Sequence, residues 1–226
     1  MIPLKDDNPS YGLPIINYVF IVTNLVVFFY LNALLGSGAD RQFIKEYGAV
    51  PQQILQGENL LSVLTAMFVH NAAHTAHVAF NMLSLAIFGD NIEVAMGHLR
   101  YFAFYLLGGL IAGMVHVLAV ADCTNPMIGA SGAISAVMGA YLVLYPRRTI
   151  LFFAPLVLLR LPALIYMMLW LGWQIVYRLT YDSAGGVAWF AHLGGFAAGI
   201  VLVWPFCLSR RRRAERLLGE REFIRE

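Results

Sequence analysis

Long apolar runs alternate with short polar intervals along this chain. The runs cover about residues 17–35, 64–88, 101–120, 131–145 and 187–208, and another covers 149–177. A helix needs roughly 20 apolar residues to cross a bilayer, so most of these runs read as spans. The run at 131–145 is short. The run at 149–177 is too long for one straight span, and Pro155, Arg160 and Pro162 divide it. A charge at the bilayer centre is costly, which puts Arg160 near an interface. The span is then about 161–177, and 149–159 lies along or just inside the membrane surface. The pattern predicts an all-α polytopic membrane protein, a six-transmembrane helical bundle. Its expected organisation is an N-terminal cytoplasmic segment at 1–16, one membrane domain at 17–208 and a basic cytoplasmic tail at 209–226. The interval 36–62 is amphipathic rather than spanning.

Composition agrees with this reading. Of the 226 residues, 60% are hydrophobic and 12% charged, and the mean hydropathy is +0.70. A soluble domain is nearer 45–50% apolar and about 25% charged. Net charge is only +2, but its placement is uneven. Lys5, Arg100, Arg147, Arg148, Arg160 and the arginines of the tail (Arg210 to Arg213, Arg216, Arg221, Arg225) fall on the side of both termini. Arg41, Lys45 and Arg178 fall on the other. The excess of positive charge predicts cytoplasmic termini. The basic tail reads as a topology and lipid-headgroup signal, not a nucleic-acid site. The opening MIPLKDDNPSYGLP lacks the pattern of a signal peptide, so the first apolar segment is expected to stay as an anchor. Cys123 and Cys207 fall on opposite sides of the bilayer, and no disulfide between them is expected.

Polar residues inside apolar spans are functional candidates. In MFVHNAAHTAHVAFNML, His70, His74, His77 and Asn81 follow at i, i+4, i+7 and i+11, one face if helical throughout. His116 is in the third span, Ser131 and Ser135 are in the fourth, and His192 is the one histidine of the last. Ser131 sits between Ala130 and Gly132 in GASG, residues 129–132. Gly195 and Gly199 lie one and two turns beyond His192, while Gly132, Ala136 and Ala140 repeat at the same four-residue spacing. Small residues at this spacing let membrane helices touch closely. The serine helix and the histidine helix are therefore expected to meet. A serine hydroxyl becomes a nucleophile when a base takes its proton, and His192 is that base. Backbone N–H groups at the start of the serine helix, with side chains of His77 and Asn81, supply donors for an oxyanion. No acidic third member stands out, which favours a Ser131–His192 dyad. Ser135 is expected to bond the carbonyl one turn back.

These residues resemble the rhomboid intramembrane serine proteases over roughly residues 51–204. GASG is similar to the family's G-x-S-G, with Ser131 as nucleophile; AHLGGFAAG, from Ala191, is similar to the last-span motif, with His192 as base. The segment from His77 places His77 and Asn81 as oxyanion ligands, and Gly129 and Ala130 complete the binding set. GAVP before the second span and LPALIYMMLWLGW in the fifth also resemble the family. The resemblance implies a serine endopeptidase that cleaves in or near transmembrane segments of other membrane proteins, with no metal or organic cofactor. The lack of a targeting segment and the short tails lead to the expectation of a bacterial cytoplasmic membrane. It departs from the family's pattern in HNAAHTAH, where His70 and His74 are both candidates for an upstream histidine. Ser135 is a further candidate, for orienting His192. A zinc site on His70, His74 and His77 is a rival reading, but it lacks an H-E-x-x-H and a carboxylate base. A transporter would show broken helices in related halves or an ionisable path. A client-binding relative without activity would have been marked by loss of Ser131 or His192.

Overall fold

In the computed structural model the described residues are 2–8, 10, 12–154, 157–180 and 188–208. The predicted basic tail at 209–226 lies outside them, as does the first residue of the predicted last span. The order is β1 (Ile2–Asp6), α1 (Ile15–Ala33), α2 (Ala39–Tyr47), α3 (Pro51–Leu55), α4 (Ser62–Thr65), a 3-10 turn (Ala66–Phe68), α5 (Thr75–Met96), α6 (His98–Ala119), α7 (Ser131–Leu144), β2 (Thr149–Ala154), β3 (Val157–Pro162), α8 (Ala163–Thr180) and α9 (Trp189–Val203), which ends in a π-helical turn, Trp204–Leu208. Among the described residues, four helices are long and apolar enough to cross a membrane: α1, α5, α6, and α9 with its continuation. Two shorter apolar helices, Ser131–Leu144 and Ala163–Val176, make up the six expected.

Helix α7 is central, with every residue from Gly132 to Tyr141 buried. It packs against α6 and α9, and glycine sets both approaches. A Cβ at Gly108 of α6 would sit 2.6 Å from Ala136 Cβ, and one at Gly195 of α9 would overlap the backbone of Gly132. The predicted contact between α7 and α9 through Gly132, Ala136, Gly195 and Gly199 is present.

The start of α1 is satisfied from another helix. Glu93 is fully buried and accepts from the N–H groups of Ile16 (2.9 Å) and Asn17 (2.7 Å). Such N–H groups lack intrahelical partners, and a carboxylate is the preferred acceptor at that end. Asn17 donates to Leu85 O at 3.0 Å, and the Tyr101 hydroxyl donates to Asn17 Oδ1 at 2.7 Å.

One expectation is corrected. The second span does not run over 64–88. Asn71 Oδ1 accepts from Ala73 N at 2.9 Å and Asn71 O from His74 N at 3.1 Å, a local turn that competes with the helix. Helix α5 begins only at Thr75, so His70, His74, His77 and Asn81 do not share one helical face. The segment expected along or just inside the membrane surface, 149–159, contributes to two strands: β2 and β3 pair antiparallel, and β1 pairs with β2 to give a three-stranded sheet of order β1-β2-β3. Ile150 and Phe152 point inward, whereas Phe153, Leu158 and Leu159 are exposed. Alternation puts one face on the core. The N-terminal segment is therefore part of the fold, and the Tyr141 hydroxyl donates to Asp6 to hold it at the base of α7.

Candidate active site

The site lies at the bundle end away from this sheet. Helix α7 begins there at Ser131, after Ala130 in a helical conformation and Gly129 at φ +113°. That backbone angle favours glycine. Its space does too: a Cβ at Gly129 would lie 2.8 Å from His77 Cε1 and 2.9 Å from His77 Nε2. The Gly129 N–H donates to Ala66 O at 2.9 Å. Farther back, Met127 and Ala49 exchange two backbone bonds of 2.8 and 2.9 Å, and Gln52 N donates to Cys123 O at 3.1 Å. The long interval before the second span thus holds the segment that leads into GASG.

The Ser131 hydroxyl is hydrogen-bonded to His192 Nε2 at 2.8 Å. His192 is 9% exposed, within the first turn of α9. Its other ring nitrogen, Nδ1, is hydrogen-bonded to Gln174 Oε1 of α8 at 3.0 Å. Trp170 and Trp189 flank the imidazole with ring centroids 6.0 and 5.9 Å away. Neither Gln174 nor Trp170 was singled out from sequence. Gln174 carried a usable signal, being an amide within the fifth apolar segment.

His77 and Asn81 stand one turn apart on α5, beside the loop that carries Gly129. The His70 ring packs on His77 at 5.1 Å, and Asn81 Nδ2 donates to His70 Nε2 at 2.8 Å. His70 reaches them although the chain between is not helical. It is wholly buried, whereas His74 stands just before the first residue of α5 and is exposed. Of the two, His70 is the one joined to the His77–Asn81 pair. Ser135 does not orient His192: its hydroxyl donates to Ser131 O at 2.7 Å, as the expected bond one turn back.

A cavity of about 740 Å³ opens onto these groups, lined by Ser131, His192, His77, Asn81, Gln174 and Trp170 among others. His74, His116 and Ser135 also line it, and no Asp or Glu is among its described lining residues. A hydroxyl in contact with a neutral ring nitrogen, with donors across the cavity, is suited to attack on a carbonyl.

The comparisons agree with the geometry. A family model described as Rhomboid domain matches residues 57–209. The chain is 29% identical over 142 residues to "Rhomboid protease GluP" of Bacillus subtilis, covering 62% of this chain and 27% of that protein. It is 26% identical over 183 residues to "Rhomboid protein 1, mitochondrial" of Saccharomyces cerevisiae, covering 78% of this chain and 50% of the relative. It is 32% identical over 143 residues to human "Rhomboid-related protein 3", covering 62% and 34%. The chain spans half or less of the length of each of these relatives. With a match over more than half its length, placed on the residues that build the cavity, the chain belongs to the rhomboid family.

Proposed function

We propose that this chain is an intramembrane serine endopeptidase that hydrolyses peptide bonds in or near transmembrane segments of membrane proteins. The observation that carries the reading is the 2.8 Å bond from Ser131 Oγ to His192 Nε2, between two helices held together by glycine. In this reading Ser131 Oγ attacks the peptide carbonyl carbon while its proton passes to His192 Nε2. The oxyanion is met by N–H groups at the start of α7 and by side-chain donors of His77 and Asn81. The protonated His192 then gives the proton to the leaving amine, and the acyl-enzyme remains. Water, deprotonated by the same nitrogen, releases the second product and restores Ser131. Substrates are single-pass or other transmembrane proteins. Cleavage needs a locally unwound segment, since a helix in lipid keeps its carbonyls in its own hydrogen bonds.

The proposed location is a cell membrane, with both termini cytoplasmic and the cavity facing the opposite compartment. The positive charges on the terminal side support this orientation.

The test uses purified protein in lipid vesicles with a single-span substrate. Wild type, Ser131→Ala and His192→Ala are compared for cleavage and for labelling by a serine-directed phosphonate, with and without chelator. Cleavage and labelling lost in both variants and indifferent to chelator support the dyad. Cleavage that survives Ser131→Ala but stops with chelator would refute it.

A further inference from the structure

We propose that Gln174 is a positioning residue that selects the reactive tautomer of His192; this rests on reading Ser131 and His192 as nucleophile and base. A neutral imidazole carries one proton, on either Nδ1 or Nε2. Only the form protonated at Nδ1 leaves Nε2 free to accept from Ser131. Gln174 Oε1 lies 3.0 Å from Nδ1 and can only accept there, so it favours that form. In a polar active site open to water, either tautomer would find a partner. Here Gln174 is 7% exposed and His192 9% exposed, so water competes poorly for that side of the ring.

Helix α8 is built to deliver this group. Ala163, Met167, Trp170 and Gln174 follow at four-, three- and four-residue steps and share one face. Ala163 and Met167 are fully buried, and Trp170 packs beside His192. Leu164, Met168 and Ile175 on other faces are exposed. An amide on an otherwise apolar inward face, ending on Nδ1, occupies the place a carboxylate takes in a Ser-His-Asp triad. It differs in one respect. A neutral amide orients the ring without adding the negative charge that would stabilise the imidazolium.

Two substitutions test this in the vesicle assay. Gln174→Leu keeps the volume but removes the acceptor. Labelling by the phosphonate and kcat should fall at least about tenfold, with KM changed by less than about twofold. Gln174→Glu restores the acceptor and adds charge. It should recover turnover at alkaline pH, with the acid limb of kcat moved to higher pH because the carboxylate favours protonated His192. Normal labelling of Gln174→Leu would overturn the proposal. So would equal losses in both variants with an unmoved acid limb, which mark a packing role. If Gln174→Leu does not fold, the acid limb of Gln174→Glu alone decides. If folded wild type is neither labelled nor active, the dyad reading fails first and this one falls with it.

Discussion

Gly195 of α9 lies directly against the Gly132 carbonyl of α7, leaving no room for a methyl group. Gly199 repeats the arrangement one turn on, against Ala136. The bond between Ser131 and His192 depends on this approach, because each residue lies within a turn of the contact. Overfilling a tight core costs about 1–3 kcal/mol, and here the obstacle is backbone, which cannot turn aside. Gly199→Val should therefore lower the melting temperature in detergent and reduce phosphonate labelling together. A variant that melts like wild type and labels at the same rate would show that the helices can part without harm.

His77 and Asn81 are expected to act on the developing oxyanion rather than on the nucleophile. Loss of one such donor typically lowers kcat about 10²–10³-fold. Asn81→Ala and His77→Ala should each lose turnover on that scale even at temperatures where the variants remain folded. His70→Ala should do less to the chemistry and more to stability, since it removes a buried ring that packs on His77 and bonds Asn81. Steady-state rates and melting curves on the three variants separate these outcomes.

Glu93 tests the opposite end of the bundle. Its buried carboxylate accepts from two backbone N–H groups at the start of α1 and contacts His98. Glu93→Ala leaves those N–H groups without an acceptor, at a cost of about 1–3 kcal/mol or more. The variant should melt lower, yet retain labelling well below its melting temperature. A loss of labelling at low temperature, in protein shown to be folded, would mean that this end governs the site.

The N-terminal strand carries a pH dependence. Burial raises the Asp6 carboxyl from its ordinary value, more than the hydrogen bond from Tyr141 lowers it. A raised value in the folded protein favours the protonated form. The contribution to stability is then full below the unfolded value and is lost as pH rises through the folded one. Asp6→Asn removes this titration. The melting temperature of wild type relative to Asp6→Asn should rise as pH falls from neutral into the carboxylate range. A difference that stays constant with pH would refute the assignment.

Much of the site was legible because chemistry and geometry require the same residues. Ser131 needs a base, and the small residues at Gly132, Ala136, Gly195 and Gly199 say which helix brings it. His70 was legible as a candidate but not as a position, since the Asn71 turn breaks the period that sequence reading assumes. The sheet was hidden for another reason. Its outward residues Phe153 and Leu158 are as apolar as its inward Ile150 and Phe152, so no alternation marks a strand. Gln174 was visible as an amide in an apolar segment, yet nothing along the chain says that it would meet His192, 18 positions later.

The order of the helices also has a consequence for how the molecule is made. Ser131 and His192 are 61 positions apart, and among the described residues α9 is the last helix to be made. During synthesis the serine leaves the ribosome well before the histidine. A nascent chain that has inserted only as far as α8 carries Ser131, His77, Asn81 and Gln174 without His192. On the function proposed above, entry of α9 beside α7 supplies the base. The order of synthesis would then delay activity until that helix is in place.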